Sequence, residues 1–225
     1  MPSLTTLMLT TDRHMNVRAS FDQWSLPCLR HLQIGNVVDV DELNQLLKVM
    51  LPLFGSGLKV LHVTVRRWAN DEGEFWNHED GLMDHLWDHC PQLECLHFPL
   101  YLVIINKPPR QHPLQYLINS DISAQFTYLL ALDGNFPTDL KSSIIAFCQA
   151  VTGLLVVRDN HDWSSMEPPM EALGSTGPGD PVSNNDDVEE KKAYHLMMET
   201  VVQMRTLNMA VRFEDRNGRI WEESA

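Results

Sequence analysis

One short phrase occurs four times along the chain, and it constrains the fold more than any other feature of the sequence. Each copy reads (Pro/Ser)-x-Leu-x-x-Leu-x-apolar, and the last position is Leu, Ile, Val or Phe. The copies begin at Pro2, Pro27, Ser56 and Pro91, and their first leucines are spaced by 25, 29 and 35 residues. A repeat at this interval is typical of a solenoid, in which each unit buries its apolar face only by stacking on its neighbours.

The end of each copy predicts a β-strand, because the alternation Leu-x-Leu sends apolar side chains to one face of a sheet. Segments of helical period lie between the copies and after them. The apolar stripes are Leu43, Leu46, Leu47, Met50 and Phe54; Leu82, Met83 and Leu86; Leu140, Ile144, Phe147, Cys148 and Val151, with Thr138 or Asp139 as N-cap; and Tyr194, Met197, Met198 and Val201. We therefore expect an α/β leucine-rich-repeat-like solenoid of irregular repeats, with a parallel sheet on the concave side and helices outside. A doubly wound α/β domain is the alternative, but no glycine-rich phosphate loop follows any strand here.

Weaker echoes of the phrase occur at 114–117, 153–157 and 207–211. Pro108, Pro109 and Pro113 leave the phase of the repeat open after residue 110. At the end of the chain, Asn217-Gly218 lies between two short apolar runs, 211–213 and 219–221. Because both residues accept a positive φ, the pair predicts a type I′ β-hairpin after a C-terminal helix.

Charge divides the chain into three parts. Residues 1–163 carry a net charge of −7, residues 164–190 carry seven acidic residues without Lys or Arg, and residues 191–225 carry a net charge of +1. The middle stretch is also rich in Pro and Gly, which predicts a disordered loop or linker, with an acidic docking segment as the alternative. We expect a repeat domain over 1–163 and a C-terminal helix and hairpin over 191–225 that pack on the end of the solenoid.

The same composition excludes several classes of function. A net charge of −13 argues against a nucleic-acid partner, because such binding needs a concentrated basic face. No run approaches the roughly 18 apolar residues of a membrane span, and residues 1–20 do not form a secretory signal peptide. Four cysteines without a C-x-x-C pair suit a reducing compartment, so we expect a cytoplasmic or nuclear protein.

Three segments of the repeat region resemble a known family. The runs WSLPCLRHLQI (24–34), GLKVLHVTV (57–65) and CPQLECLHFPL (90–100) are similar to the degenerate leucine-rich repeats of fungal F-box proteins, of the type abundant in mushroom-forming fungi. The likeness covers about residues 1–160. It implies a receptor of a cullin-RING ubiquitin ligase, in which an N-terminal F-box binds the ligase adaptor and the repeats recruit the substrate protein. This chain opens inside a repeat with no F-box-like segment before it, so we do not expect direct adaptor binding.

The exposed positions of the predicted strands are candidates for a protein-binding concave face. They are His31, Gln33, His62, Thr64, Arg66 and His97, and three of them are histidines at near-equivalent positions. Three neighbouring imidazoles suggest a pH-sensitive or metal-binding cluster, although a strand tolerates any polar residue between its leucines. A loop over 68–78 adds Trp68, Phe75 and Trp76 as candidate interface anchors, or as cover for the edge of the core.

No catalytic residue, metal or cofactor site follows from the sequence, so we expect a non-enzymatic binding module. The alternative is a small metal-dependent or hydrolytic enzyme that uses His85 and His89, four residues apart on one helix, with His78 or Cys90 nearby. Zinc hydrolases of that kind place a glutamate beside the first histidine, whereas Leu86 follows His85 here. A truncated gene product without independent function is a third possibility.

Overall fold

Seven strands, four helices and one further helical residue, Val103, are seen in a computed structural model that describes residues 3–10, 21, 23–37, 40–65, 82–98, 103, 111–118, 140–159, 199–207 and 209–220. The strands are β1 (Thr6–Thr10), β2 (His31–Val37), β3 (Val60–Val65), β4 (Cys95–His97), β5 (Tyr116–Ile118), β6 (Val156–Arg158) and β7 (Arg212–Glu214). The helices are α1 (Val40–Phe54), α2 (Leu82–His89), α3 (Leu140–Ala150) and α4, described over 199–206, and a 3₁₀ turn spans Gly55–Gly57.

All seven strands form one parallel sheet whose order in space is their order along the chain, β1 to β7. A doubly wound domain reverses its strand order at a switch point, and this sheet has no reversal. The chain therefore has an α/β fold built on an open, all-parallel sheet, which is compatible with a solenoid-like arrangement.

The second leucine of each phrase forms a continuous row across the sheet. Strand pairing sets these residues directly beside one another: Leu7, Leu32, Leu61, Leu96, Leu117, Val157 and Phe213. From β2 onward each of them is at most 4% exposed. The two earlier echoes thus continue the repeat in phase despite the prolines before them. In the last unit, the residue in the row is Phe213, beyond the 207–211 echo.

A common turn precedes four of the strands. The N–H of the first leucine position donates to the carbonyl three residues earlier at Leu29, Leu58, Leu93 and Leu154, over 2.9–3.1 Å. The residue that accepts this bond is buried in every case: Leu26, Gly55, Cys90 and Val151. The repeated unit is therefore longer than the sequence phrase indicates, because it includes a buried residue three positions before its first leucine.

The helices cover the leucine face of the sheet. The predicted stripe of α1 is confirmed, since all five of its residues are at most 4% exposed and belong to the same core cluster as the strand leucines. The α3 residues Ile144, Phe147 and Cys148 are buried in the same way, as are Leu86 of α2 and Val201 of α4. The predicted N-caps of α3, the side chains of Leu82, Met83 and Leu140, and Tyr194, Met197 and Met198 lie outside the described residues.

The C-terminal turn differs from the predicted type I′ hairpin. Gly218 has a φ of 76°, but Asn217 is not among the described residues with positive φ, so the two-residue turn is wrong. Instead Gly218 N–H donates to the Asp215 carbonyl, and the Asp215 carboxylate accepts from the N–H groups of Asn217 and Arg219. The chain still reverses, with one antiparallel bridge between Glu214 and Ile220, while β7 itself joins the parallel sheet. Because the Asp215 carboxylate accepts these backbone hydrogen bonds, the turn is wider than two residues and needs only Gly218 in the left-handed region.

The predicted acidic linker, 164–190, lies outside the described residues. Within the parts of the chain that the structure describes, no helix has the length and apolar character needed to cross a membrane.

Candidate interaction surface

The face of the sheet opposite the leucines carries two parallel rows of side chains. The first row lies one residue before the buried row and contains Thr6, His31, Val60, Cys95, Tyr116, Val156 and Arg212. The second row lies one residue after it and contains Met8, Gln33, His62, His97, Ile118, Arg158 and Glu214. Because strand residues alternate between faces, both rows point away from the helices.

The middle of this face forms a surface that we call the central patch, made of Val60, His62, Cys95, His97, Tyr116 and Ile118 on β3, β4 and β5. Tyr116 is 40% exposed and the other five are half-buried. The central patch thus combines aromatic, aliphatic and imidazole groups and has no formally charged residue at neutral pH.

Two of its histidines touch. The rings of His62 and His97 have centroids 3.9 Å apart with an interplanar angle of 44°, and Thr64 Oγ1 lies 3.4 Å from His62 Nε2. Burial lowers the pKa of His97 to about 4, with a further contribution from His62 beside it. Burial also lowers the pKa of His62. Both imidazoles are therefore neutral at physiological pH, and acid puts positive charge into the centre of the patch.

The thiol of Cys95 shares this environment. Burial raises its pKa, and the nearby Arg158 guanidinium opposes that shift in part. All four cysteines of the chain lie in described segments, and all four are free thiols. Cys95 is therefore a protonated, weakly polar member of the patch, since only the thiolate form is a strong nucleophile or ligand.

Ion pairs border the patch on two sides. Before the strands, Lys59 Nζ lies 2.6 Å from Glu94 Oε1, with both side chains about two-fifths exposed. At the β6–β7 side, Arg158 donates through Nε and Nη2 to Glu214 Oε2, at 3.2 and 2.6 Å. Glu214 is 5% exposed and also lies 3.6 Å from Arg212 Nη2. Each acid is matched by a base, so the border is polar and close to neutral.

The structure places the predicted face residues in different surroundings. His31 is exposed and stands beside Val60 in the first row, so it is two residues away from the row of the histidine pair. Gln33 is half-buried and in register with His62, and Thr64 is exposed. Two imidazoles, rather than three, are thus brought together. The predicted residues Arg66, Trp68, Phe75 and Trp76 lie outside the described residues.

Sequence reasoning missed Tyr116, Ile118, Arg158 and Glu214 as parts of this face. They follow or adjoin the weaker echoes of the phrase, whose phase was left open. Each of them lies one residue before or after an apolar residue of the buried row, and that position identifies them. The residues of the row are Leu117, Val157 and Phe213.

The histidines of the alternative metal site lie close together, without a third ligand among the described residues. The rings of His85 and His89 are stacked with centroids 6.0 Å apart on α2. Among the residues that the structure describes, no group of three or more His, Cys, Asp or Glu side chains is placed to hold a metal ion. Burial raises the pKa of the neighbouring Cys90 to about 12, which keeps its thiol protonated. His78 lies outside the described residues.

Comparison with protein-family models, with curated proteins and with solved structures finds no match to this chain.

Proposed function

We propose that this chain is a non-catalytic protein-binding module, a leucine-rich-repeat-like solenoid that takes a partner protein on the exposed face of its sheet. By its resemblance to F-box proteins, we further propose that it serves as the substrate-recognition part of a ubiquitin-ligase receptor. The central patch is the observation that carries the first proposal. The second depends on the repeat phrase alone.

The composition of the central patch supports a protein partner. Interfaces have an apolar and aromatic centre, depleted in charge, inside a polar rim. Here Val60, Tyr116 and Ile118 supply apolar surface, and the Lys59–Glu94 and Arg158–Glu214 pairs supply the rim. Tyrosine is favoured at such sites because it gives a large contact area at a small cost in conformational entropy.

The backbone pattern supports the repeat assignment. Four units share one buried turn before the strand, and the six strands from β2 to β7 share one buried row. In a leucine-rich repeat the strands lie side by side in chain order and present their non-leucine positions to the ligand. The order β1 to β7 and the two rows on the face opposite the leucines agree with that arrangement.

The proposal is tested with two variants that introduce the same charge at equally exposed apolar positions. Tyr116→Glu changes the central patch, whereas Leu53→Glu changes α1, and the original residues are 40% and 44% exposed. Proteins cross-linked to the wild-type chain in cells are identified by mass spectrometry, and the direct partner is then purified and titrated by calorimetry. We expect binding to be retained by Leu53→Glu and weakened at least about tenfold by Tyr116→Glu, the scale of a well-buried anchor.

Equal affinity of both variants would show that the partner binds elsewhere and would refute the assignment of this face. Turnover of the same partner, measured with and without the chain, tests the ligase role separately. A partner that binds the patch but keeps the same half-life would contradict the ligase role and leave the binding role intact.

A further inference from the structure

Among the residues that the structure describes, no strand lies beside the outer edge of β1, whereas each later strand donates hydrogen bonds to the unit before it. The first-row N–H groups of β2 to β7 each donate to a carbonyl of the preceding unit, over 2.8–3.1 Å: His31 to Thr5, Val60 to Arg30, Cys95 to Lys59, Tyr116 to Glu94, Val156 to Gln115 and Arg212 to Leu155. Thr6 holds the same place in β1, so its N–H points to the open edge. By alternation, the N–H and C=O groups of Met8 and Thr10 point there as well. Among the described residues, no strand pairs with this edge.

The apolar side chains of β1 are also incompletely covered. Leu7 and Leu9 are only partly buried, whereas Leu32 and Ile34, beside them in β2, are at most 1% exposed. A cavity of about 260 Å³ opens next to Leu7, lined also by Leu4, Trp24 and Leu26. Within the described residues, the edge therefore lacks a pairing strand, and its apolar side chains are only partly covered on the same side.

The opposite end of the sheet is different. The N–H of Asp215, which follows β7, donates to the Arg219 carbonyl, and Glu214 forms an antiparallel bridge to Ile220. The returning chain thus occupies the outer edge of β7. Of the two sheet edges that the structure describes, the β1 edge is therefore the one without a neighbouring segment along it.

The sequence of β1 reads Thr6-Leu7-Met8-Leu9-Thr10 and is the same in both directions about Met8. It contains no charge and no proline, the devices that usually protect an edge strand from pairing. We propose that two copies of this chain associate by antiparallel pairing of β1 with β1, about a two-fold axis through Met8.

The two-fold pairing has a definite register. Met8 faces Met8 of the partner copy as a hydrogen-bonded pair, and Thr6 faces Thr10 on each side, so the three outward residues of each strand contribute six backbone hydrogen bonds. Leu9 of the partner copy lies opposite Leu7, on the helix side, where it covers the partly buried Leu7 beside the cavity. The interface is isologous and closed, so assembly stops at the dimer. It uses the edge of the sheet and does not depend on the proposed role of the central patch.

Sedimentation velocity on the full chain tests the pairing, from low micromolar concentration to roughly 200 µM, a range that covers weak to moderate dimers. We expect a reversible monomer–dimer equilibrium whose larger species has twice the 25.8 kDa mass of the chain. Met8→Lys and Met8→Glu should each raise the dissociation constant at least about tenfold, because like charges would face each other across the axis. An equimolar mixture of the two variants should restore the dimer, because opposite charges then meet. Met8 is 64% exposed, so both substitutions are compatible with folding.

A second pair of variants isolates the backbone contribution. Met8→Pro removes an outward N–H without removing a bond to β2, whereas Met8→Ala keeps that N–H. We expect a clearly weaker dimer for Met8→Pro than for Met8→Ala, with similar melting temperatures of the two at a concentration where both are monomeric. A chain that stays monomeric throughout the range, a dimer unaffected by Met8→Lys, a mixture that remains monomeric, or growth beyond the dimer would each overturn the proposal.

Discussion

Acidification should destabilise this protein through one histidine of the central patch. The pKa of His97 lies at about 4 in the folded chain, against an ordinary value of 6.5. Between these two values the unfolded chain binds a proton that the folded chain does not, so the free energy of unfolding falls as the pH falls. Below about pH 4 both states are protonated and the loss is complete.

The size of the effect follows from the two pKa values. At about pH 7.5 the contribution of His97 is close to zero, and at about pH 5 it amounts to a loss of about 2 kcal/mol. Between about pH 7.5 and about pH 5, we expect the unfolding free energy of the wild-type chain to fall by about 2 kcal/mol more than that of a His97→Asn variant. The variant keeps a polar side chain but does not titrate, so the difference between the two proteins removes the contribution of the carboxylates.

Urea unfolding followed by circular dichroism, at several pH values for both proteins, measures that difference. A His62→Asn variant should also lose less unfolding free energy on acidification than the wild-type chain, because burial lowers the pKa of His62 too. Parallel pH dependence of the wild-type and His97→Asn proteins would refute the reasoning. So would a nuclear magnetic resonance titration in which His97 takes up its proton near pH 6.5.

Two further expectations concern packing and charge. Gly55→Ala should lower the unfolding free energy by about 1–3 kcal/mol, because the added Cβ would lie 2.7 Å from the carbonyl oxygen of His89 at the end of α2. Gly35→Ala, whose added Cβ would have its nearest neighbour atom at 3.8 Å, should change the unfolding free energy by less than about 0.5 kcal/mol. Equal costs of the two variants in urea unfolding would contradict the close approach at Gly55. Arg158→Ala should lower the unfolding free energy by about 1–2 kcal/mol, because it leaves the buried Glu214 carboxylate without its main partner. Lys59→Ala should lower it by less than about 1 kcal/mol, because the Lys59–Glu94 ion pair is more exposed. A larger loss for Lys59→Ala than for Arg158→Ala in the same assay would contradict this ranking of the two ion pairs.

The sequence predicts the sheet better than it predicts the surface. Leucines at 32, 61 and 96 lie in the buried row because alternation and burial act on each unit in the same way, and the row then extends to Leu117 and Val157. At Phe213 the phrase has lost its leucines, so only pairing with β6 reveals the last strand.

The central patch was only half visible in the sequence. His62 and His97 occupy the same place in two strong copies of the phrase, so their proximity follows from the register. Tyr116 and Arg158 follow weak copies, and the partner of Arg158 comes from a strand more than 50 positions later in the chain. Such pairs depend on which strands become neighbours, and no local pattern encodes that.

The order of the strands also bears on how such a chain can change during evolution. Each connection joins the carboxyl end of one strand to the amino end of its neighbour, and the length of the connection does not affect how the two strands pair. The shortest joins Leu96 to Leu117 and the longest joins Val157 to Phe213, yet both end in the same register. Insertions and deletions between strands therefore leave the row of buried residues intact, whereas the loss of a single residue within a strand would exchange its two faces. Length variation among descendants of this chain should accumulate in the connections, while the strands and the turns before them keep their spacing.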